Sequence, residues 1–249
     1  MVCNGQKRNA PLSAIGYSHK LAGAEDPTKV FFILQMLKGY NKKGFRLDSR
    51  LSITLPILER IMSSAFQTTL SRYEAYLFRA MCAIAFFAFL RVGEMTVSGK
   101  QSSNAPLQFH QVTKLRDNSF YVKAIRITFG DYKHHYQERP FSVVVHRQSN
   151  GVCPVLCLLE YLEQCNYAGD PLFRLHTGEP VPRSAFSRFL SSAIKECGLD
   201  PAFYKGHSFR IGAASHAAAL GYTDAQIRLL GRWKSNAFHK YIRINSFSA

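Results

Sequence analysis

The hydrophobic period changes twice along this chain, and that change restricts the possible folds more than any other feature. From Thr54 to Leu90 apolar residues recur at helical spacing, with Thr54 and Ser71 at the positions of N-caps for Leu55 to Phe66 and for a longer helix through Leu90. The middle of the chain is instead β-branched and aromatic. Ser119 to Phe129 (Phe120, Val122, Ile125, Ile127, Phe129) and Phe141 to Val145 read as strands paired around Gly130 to Pro140, and Leu107 to Leu115 is a candidate third strand. From Pro154 the helical period returns, over Val155 to Cys165, Arg183 to Cys197, His207 to Leu220, Thr223 to Leu230 and Asn236 to Asn245. Helices, a small antiparallel sheet, then helices predict an α+β fold that is mainly α. No internal repeat or low-complexity tract interrupts this order.

The N-terminal region carries a weaker signal. Residues 1–26 read as loosely structured, with Asn, Gly, Lys and Pro scattered through them. Asp26-Pro27-Thr28 predicts a helix start, and Val30, Phe31, Leu34 and Leu37 continue one face to Gly39. Asn41 to Arg50 is a basic linker, and Gly99 to Ala105 a polar loop. With 249 residues the chain suffices for one large domain or two small ones, and a 47% hydrophobic, 13% aromatic composition is that of a globular protein. Basic residues outnumber acidic ones 32 to 16, a net charge of +16. Such a field favours a polyanionic partner, because each neutralised phosphate releases condensed counterions, but charge alone does not separate DNA from RNA or an anionic membrane.

The cysteines (Cys3, Cys82, Cys153, Cys157, Cys165, Cys197) are sparse and mostly in apolar, helix-like contexts. Free thiols in a reducing compartment are expected, rather than a disulfide framework. Cys153 and Cys157 share a helix face, without a second pair to complete a zinc site. Ala80 to Leu90, bounded by Arg79 and Arg91, is about half the length a spanning helix needs. Met1 to Ala10 lacks the apolar core of a secretory signal, so a soluble protein is expected.

Candidate chemistry lies in five places. His207 and Arg210, three apart, share a helix face and can point at one phosphate, to which Tyr241 could supply a nucleophile. Each has an ordinary reading as well: His207 at a helix start, Arg210 on the surface, and Tyr241 as one of 12 tyrosines in plain packing. Trp233, the sole tryptophan, could be core. Arg91 follows the apolar run Ile84, Phe86, Phe87, Phe89, Leu90. It either projects from a rigid helix end into a site, or pairs with Glu94 at a helix C-terminus. Lys133, at a hairpin tip, would by default be a solvated surface charge.

Taken together, Arg91-Val92-Gly93-Glu94, Gly206-His207-Ser208-Phe209-Arg210, Leu230-Gly231-Arg232-Trp233 and Tyr241-Ile242-Arg243 resemble the tyrosine recombinase (phage-integrase-type) family, especially the DIRS/Crypton-like recombinases of eukaryotic mobile elements. The resemblance covers residues 46–249 and, more faintly, His19 to Gly39. It implies the DNA breaking-rejoining fold, with 46–249 as the catalytic domain and 1–45 as a remnant of a helical core-binding domain. It also implies cleavage of double-stranded DNA through a 3′-phosphotyrosyl link to Tyr241, from which a 5′ hydroxyl reseals the strand without ATP.

In that scheme Arg91 and Arg210 bracket the phosphate with bidentate hydrogen bonds as charge builds on it. Lys133, with Lys123 in reserve, protonates the leaving 5′ oxygen. His207 and Trp233 complete the set; Trp233 stands eight residues before Tyr241, one fewer than is common in bacterial and phage relatives. No cofactor and no metal is implied. A homotetramer on DNA and nuclear residence are. The alternative is a DNA-binding module derived from such a recombinase that exchanges no strands. A metal-dependent nuclease or transposase would need converging carboxylates, and the 16 acidic residues are scattered.

Overall fold

The stretch Ala75 to Phe86 offers water almost no polar face, so it has to be surrounded. In the computed structural model it forms α3 (Arg72–Phe87), with Ala75, Leu77, Phe78, Ala80, Met81, Cys82, Ala83, Ile84, Ala85 and Phe86 all buried. Ser71 fixes its start, its Oγ accepting from the Glu74 N–H at 3.2 Å. The structure describes residues 9–36, 49–99, 105–130, 141–165, 169–233 and 235–243. The chain divides into two units, Met1–Ser49 and Arg50–Ala249.

In the larger unit, α2 (Leu55–Thr68), α4 (Pro154–Gln164) and α6 (Gly206–Ala219) pack on α3, and α5 (Arg183–Glu196) packs on α2. Thr54 stands at the N-cap of α2, though its side chain makes no cap hydrogen bond. Phe78 of α3 stacks on Phe189 of α5, centroids 4.2 Å apart and planes 5° from parallel. The apolar run Ala80 to Leu90 is thus the centre of the core. Among the described residues no helix is long and apolar enough to cross a membrane.

The sheet is antiparallel in the order β1 (Val112–Arg116), β2 (Val122–Phe129), β3 (Phe141–His146). Val122, Ile125, Ile127, Phe129, Val143 and Val145 are buried, and β2 and β3 pack on α4. Two strands are shorter than expected. Phe109–Gln111 is a 3-10 turn, so β1 begins only at Val112. The Asp117 carboxylate accepts from the N–H of Ser119 (2.9 Å) and Tyr121 (3.1 Å), which holds Ser119 to Tyr121 in the turn before β2. The last expected helix is a 3-10 segment, Asn236–Tyr241.

The smaller unit corrects the expectation of loose structure over residues 1–26: Asn9–Leu21 is a helix, α1. Asp26 does initiate the next element, its carboxylate accepting from the Thr28 N–H at 3.0 Å, but as a 3-10 turn, Pro27–Lys29, followed by a helical stretch over residues 31–36. Leu37 to Asp48, residues 100–104 of the polar loop, Cys3 and Asn245 lie outside the described residues. None of the five described cysteines forms a disulfide with another of them. Cys153 caps α4 instead of sharing its face with Cys157, its Sγ accepting from the Leu156 N–H at 3.5 Å.

Candidate active site

Arg210 is the largest fully buried side chain among the described residues, at 0% exposure. Its depth begins with a glycine. A Cβ on Gly212 would stand 1.8 Å from the Ile53 carbonyl oxygen, so only glycine lets α6 lie against the segment leading into α2. The Ile53 N–H donates to the Ser208 carbonyl at 3.1 Å and locks that contact. Arg210 then points inward, where Nη1 donates to the Phe89 carbonyl and Nη2 to the Gly231 carbonyl at 2.6 Å.

Both acceptors are at helix ends. At the end of α3, Phe89 adopts φ 52°, its N–H donates to Phe86 O (3.3 Å) and the Leu90 N–H to Ala85 O (3.1 Å). At the end of α7 (Asp224–Leu230), Arg232 adopts φ 54°, its N–H donates to Leu229 O (3.0 Å) and the Trp233 N–H to Arg228 O (2.9 Å). Each is a Schellman motif, with a phenylalanine or an arginine where glycine is usual. Helix C-termini carry partial negative charge, so the two ends together solvate a buried cation. Trp233 covers it, with Arg210 Cζ 4.3 Å from the indole centroid. Burial, reinforced by Arg91 and Arg232, lowers the Arg210 pKa to about 9, which still leaves it charged at neutral pH. Its Nε has no hydrogen-bond partner among the described residues.

Tyr241 closes the 3-10 segment and reaches this cluster. Its ring lies 5.1 Å from Trp233 and 6.3 Å from His207, and 6.0 Å from Arg210 Cζ. Ser215 of α6 holds the backbone on either side: its hydroxyl donates to Tyr241 O at 3.2 Å and accepts from the Arg243 N–H at 2.8 Å. Buried Phe238 anchors the same segment in a second small core with Phe89, Ala213, Ala214, Ala217 and Ile227. His207, in the first turn of α6, has its pKa lowered by burial and by Arg50, Arg210, Arg91 and Arg183. Its imidazole is therefore neutral at pH 7 and can accept a proton.

Arg91 differs from expectation in its setting. Because α3 stops at Phe87 and Phe89 turns the chain, Arg91 caps a 3-10 turn, Val92–Glu94, rather than ending a helix. It does pair with Glu94: Nη1 to Oε1 at 3.0 Å and backbone N–H to Oε2 at 2.7 Å. The same Oε2 accepts from Arg232 Nη2 at 2.7 Å, and Arg232 Cζ sits 4.2 Å from the Phe129 ring centroid. Arg232 is the residue that spacing did not single out, and Arg50 and Arg183 are further cations that act on His207.

Lys133 lies outside the described residues. Lys123 is exposed at the start of β2, six residues from Phe129 at the other end, or about 20 Å along the strand. The structure thus brings Arg91, His207, Arg210, Trp233 and Tyr241 into one neighbourhood. Among the described residues no group of three His, Cys, Asp or Glu side chains could hold a metal ion.

The chain matches no protein-family model and no curated protein sequence. Solved structures do match. The XerH site-specific recombinase bound to difH substrate, a pre-cleavage complex, superposes with TM-score 0.57 at 14% identity, over 78% of this chain and 51% of that one. A lambda integrase dimer bound to a COC′ core site gives TM-score 0.58 at 16% identity, over 82% and 51%. XerA recombinase gives 0.51 at 14% identity, over 95% and 78%. The chain therefore spans about half the length of the first two structures. The mainly helical body with its small three-stranded antiparallel sheet has the fold of tyrosine recombinase catalytic domains.

Proposed function

We propose that this chain cleaves and rejoins double-stranded DNA through a phosphotyrosyl intermediate on Tyr241, as a tyrosine recombinase of the mobile-element type acting in the nucleus. The observation that carries the reading is the meeting of Tyr241, His207 and Trp233 around the buried cation Arg210. The net charge of +16 supports a polyanionic substrate, and two of the similar structures are complexes with recombination-site DNA.

In this mechanism the Tyr241 oxygen bonds to phosphorus as the bond to the 5′ oxygen breaks. The phenolic proton passes to neutral His207, and Lys133 supplies a proton to the leaving oxygen. Arg210 and Arg91 stabilise the growing negative charge, and the fixed surroundings of Arg210 mean that little reorganisation accompanies the reaction. Residues 1–45 would belong to a core-binding domain, and assembly on DNA would be tetrameric.

One observation favours the second reading, a binding module without strand exchange: Arg210 already spends hydrogen bonds on two backbone carbonyls. Incubation with nicked duplex DNA in chelator separates the two. Covalent adducts that disappear in Tyr241→Phe, with DNA binding retained, are expected. Binding without adducts would leave the module, and cleavage restored only by metal would indicate a nuclease.

A further inference from the structure

Arg232 has a side chain only 1% exposed and a backbone at φ 54°, in a helix-ending position where glycine is the usual residue. Left-handed backbone disfavours a long side chain, so the reason for arginine here lies in what that side chain does. It donates to Glu94 Oε2, and Glu94 in turn receives both the backbone N–H and the guanidinium of Arg91. Its other face lies on Phe129, the last residue of β2. Neutralising Glu94 does not require Arg232, because Arg91 already pairs with it. A second, buried arginine on the same carboxylate instead fixes the direction in which that carboxylate points. The two arginines also divide in exposure: the Arg91 side chain is 39% exposed, facing solvent, while that of Arg232 is enclosed.

We propose that Arg232 is a positioning residue for the phosphate site. It holds Glu94, and through Glu94 the guanidinium of Arg91, in register with the end of α7 that carries Trp233. The inference rests on the reading of Arg91 and Trp233 as parts of that site.

Arg232→Asn tests it, since asparagine tolerates left-handed backbone but is too short to span to Glu94. Inorganic phosphate titrated against the fluorescence of Trp233, the sole tryptophan, reads the site without chemistry. Single-turnover adduct formation on nicked duplex DNA reads it with chemistry. Phosphate affinity and adduct rate should each fall on the order of tenfold. DNA affinity should stay within about twofold, because binding is spread over many phosphates. Arg232→Lys should recover part of the loss, and Arg232→Asn combined with Glu94→Gln should be no worse than Glu94→Gln alone.

Effects that multiply in the double variant, or wild-type phosphate affinity and rate in Arg232→Asn, overturn the proposal. Should Arg232→Asn fail to fold, Glu94→Gln alone, made at a 22% exposed side chain, must show the same losses, and unaltered phosphate affinity in it overturns the proposal too. If the wild-type protein forms no adduct, the recombinase reading fails by itself, and the phosphate titrations still decide whether Arg232 and Glu94 act as a pair.

Discussion

A buried guanidinium normally requires a carboxylate, and Arg210 is instead bonded to the carbonyls that close two helices. Lysine could not replace it, because a compact ammonium lacks the planar fork by which the guanidinium reaches two carbonyls with its carbon 4.3 Å from the indole centroid. The same crowd of positive charge acts on His207. Its folded pKa lies below the ordinary imidazole value of 6.5, from burial first and the surrounding arginines second, and that of His216 lies below it through burial. For such a base the unfolded chain binds the proton more readily. Stability is therefore complete above about 6.5 and falls as pH drops from there through the folded pKa. Melting temperature should decline as pH falls below about 6.5, and His207→Asn should remove part of that decline, with His216 retaining the rest. An unchanged pH profile in the variant would show that His207 is not held neutral.

The elements of the larger unit were largely legible in their periodicity, and the departures have identifiable causes. Helix α3 was expected to run to Leu90, yet hydrophobicity cannot register that Phe89 takes a left-handed turn which packing on Trp233 supports. α1 was missed because Pro11 and Gly16 resemble loop residues, although proline is harmless in a first turn and one internal glycine costs only about 1 kcal/mol. The shared helix face of His207 and Arg210 was visible in spacing, and Tyr241 was joined to them by the family resemblance. Arg232 was not singled out, since an arginine just past a helix end is ordinarily a solvated charge. Gly212 shows how one element carries the site. Gly212→Ala places a methyl group against the Ile53 backbone, which cannot yield as a side-chain tip would. It should lower stability by about 2 kcal/mol or more in denaturant unfolding and displace Arg210 with α6. An alanine variant of wild-type stability would mean that α6 and the Ile53 segment are free to separate.

At the scale of the whole molecule the excess of 16 positive charges is the dominant long-range property. If DNA is the partner, as proposed, its affinity should fall steeply with salt, with a log–log slope of about −0.9 for each phosphate neutralised on duplex DNA. Filter binding or fluorescence anisotropy over a salt series measures it, and a flat response would remove electrostatics from the recognition of DNA. The overall order of helices, sheet and helices was readable from the two changes of period. Which surfaces those elements bury against one another was not, because single glycines at close approaches decide it.

The double anchorage of Arg210 also limits how Tyr241, the proposed nucleophile, could move. The guanidinium ties the terminus of α7 to that of α3, parts of the chain far apart in sequence, and both are reached from α6. A swing of Tyr241 toward or away from a DNA strand cannot drag α7 along without undoing that hub. Any such excursion has to pivot beyond Trp233, within the 3-10 segment that ends at the tyrosine, while the cation stays seated as the fixed axle.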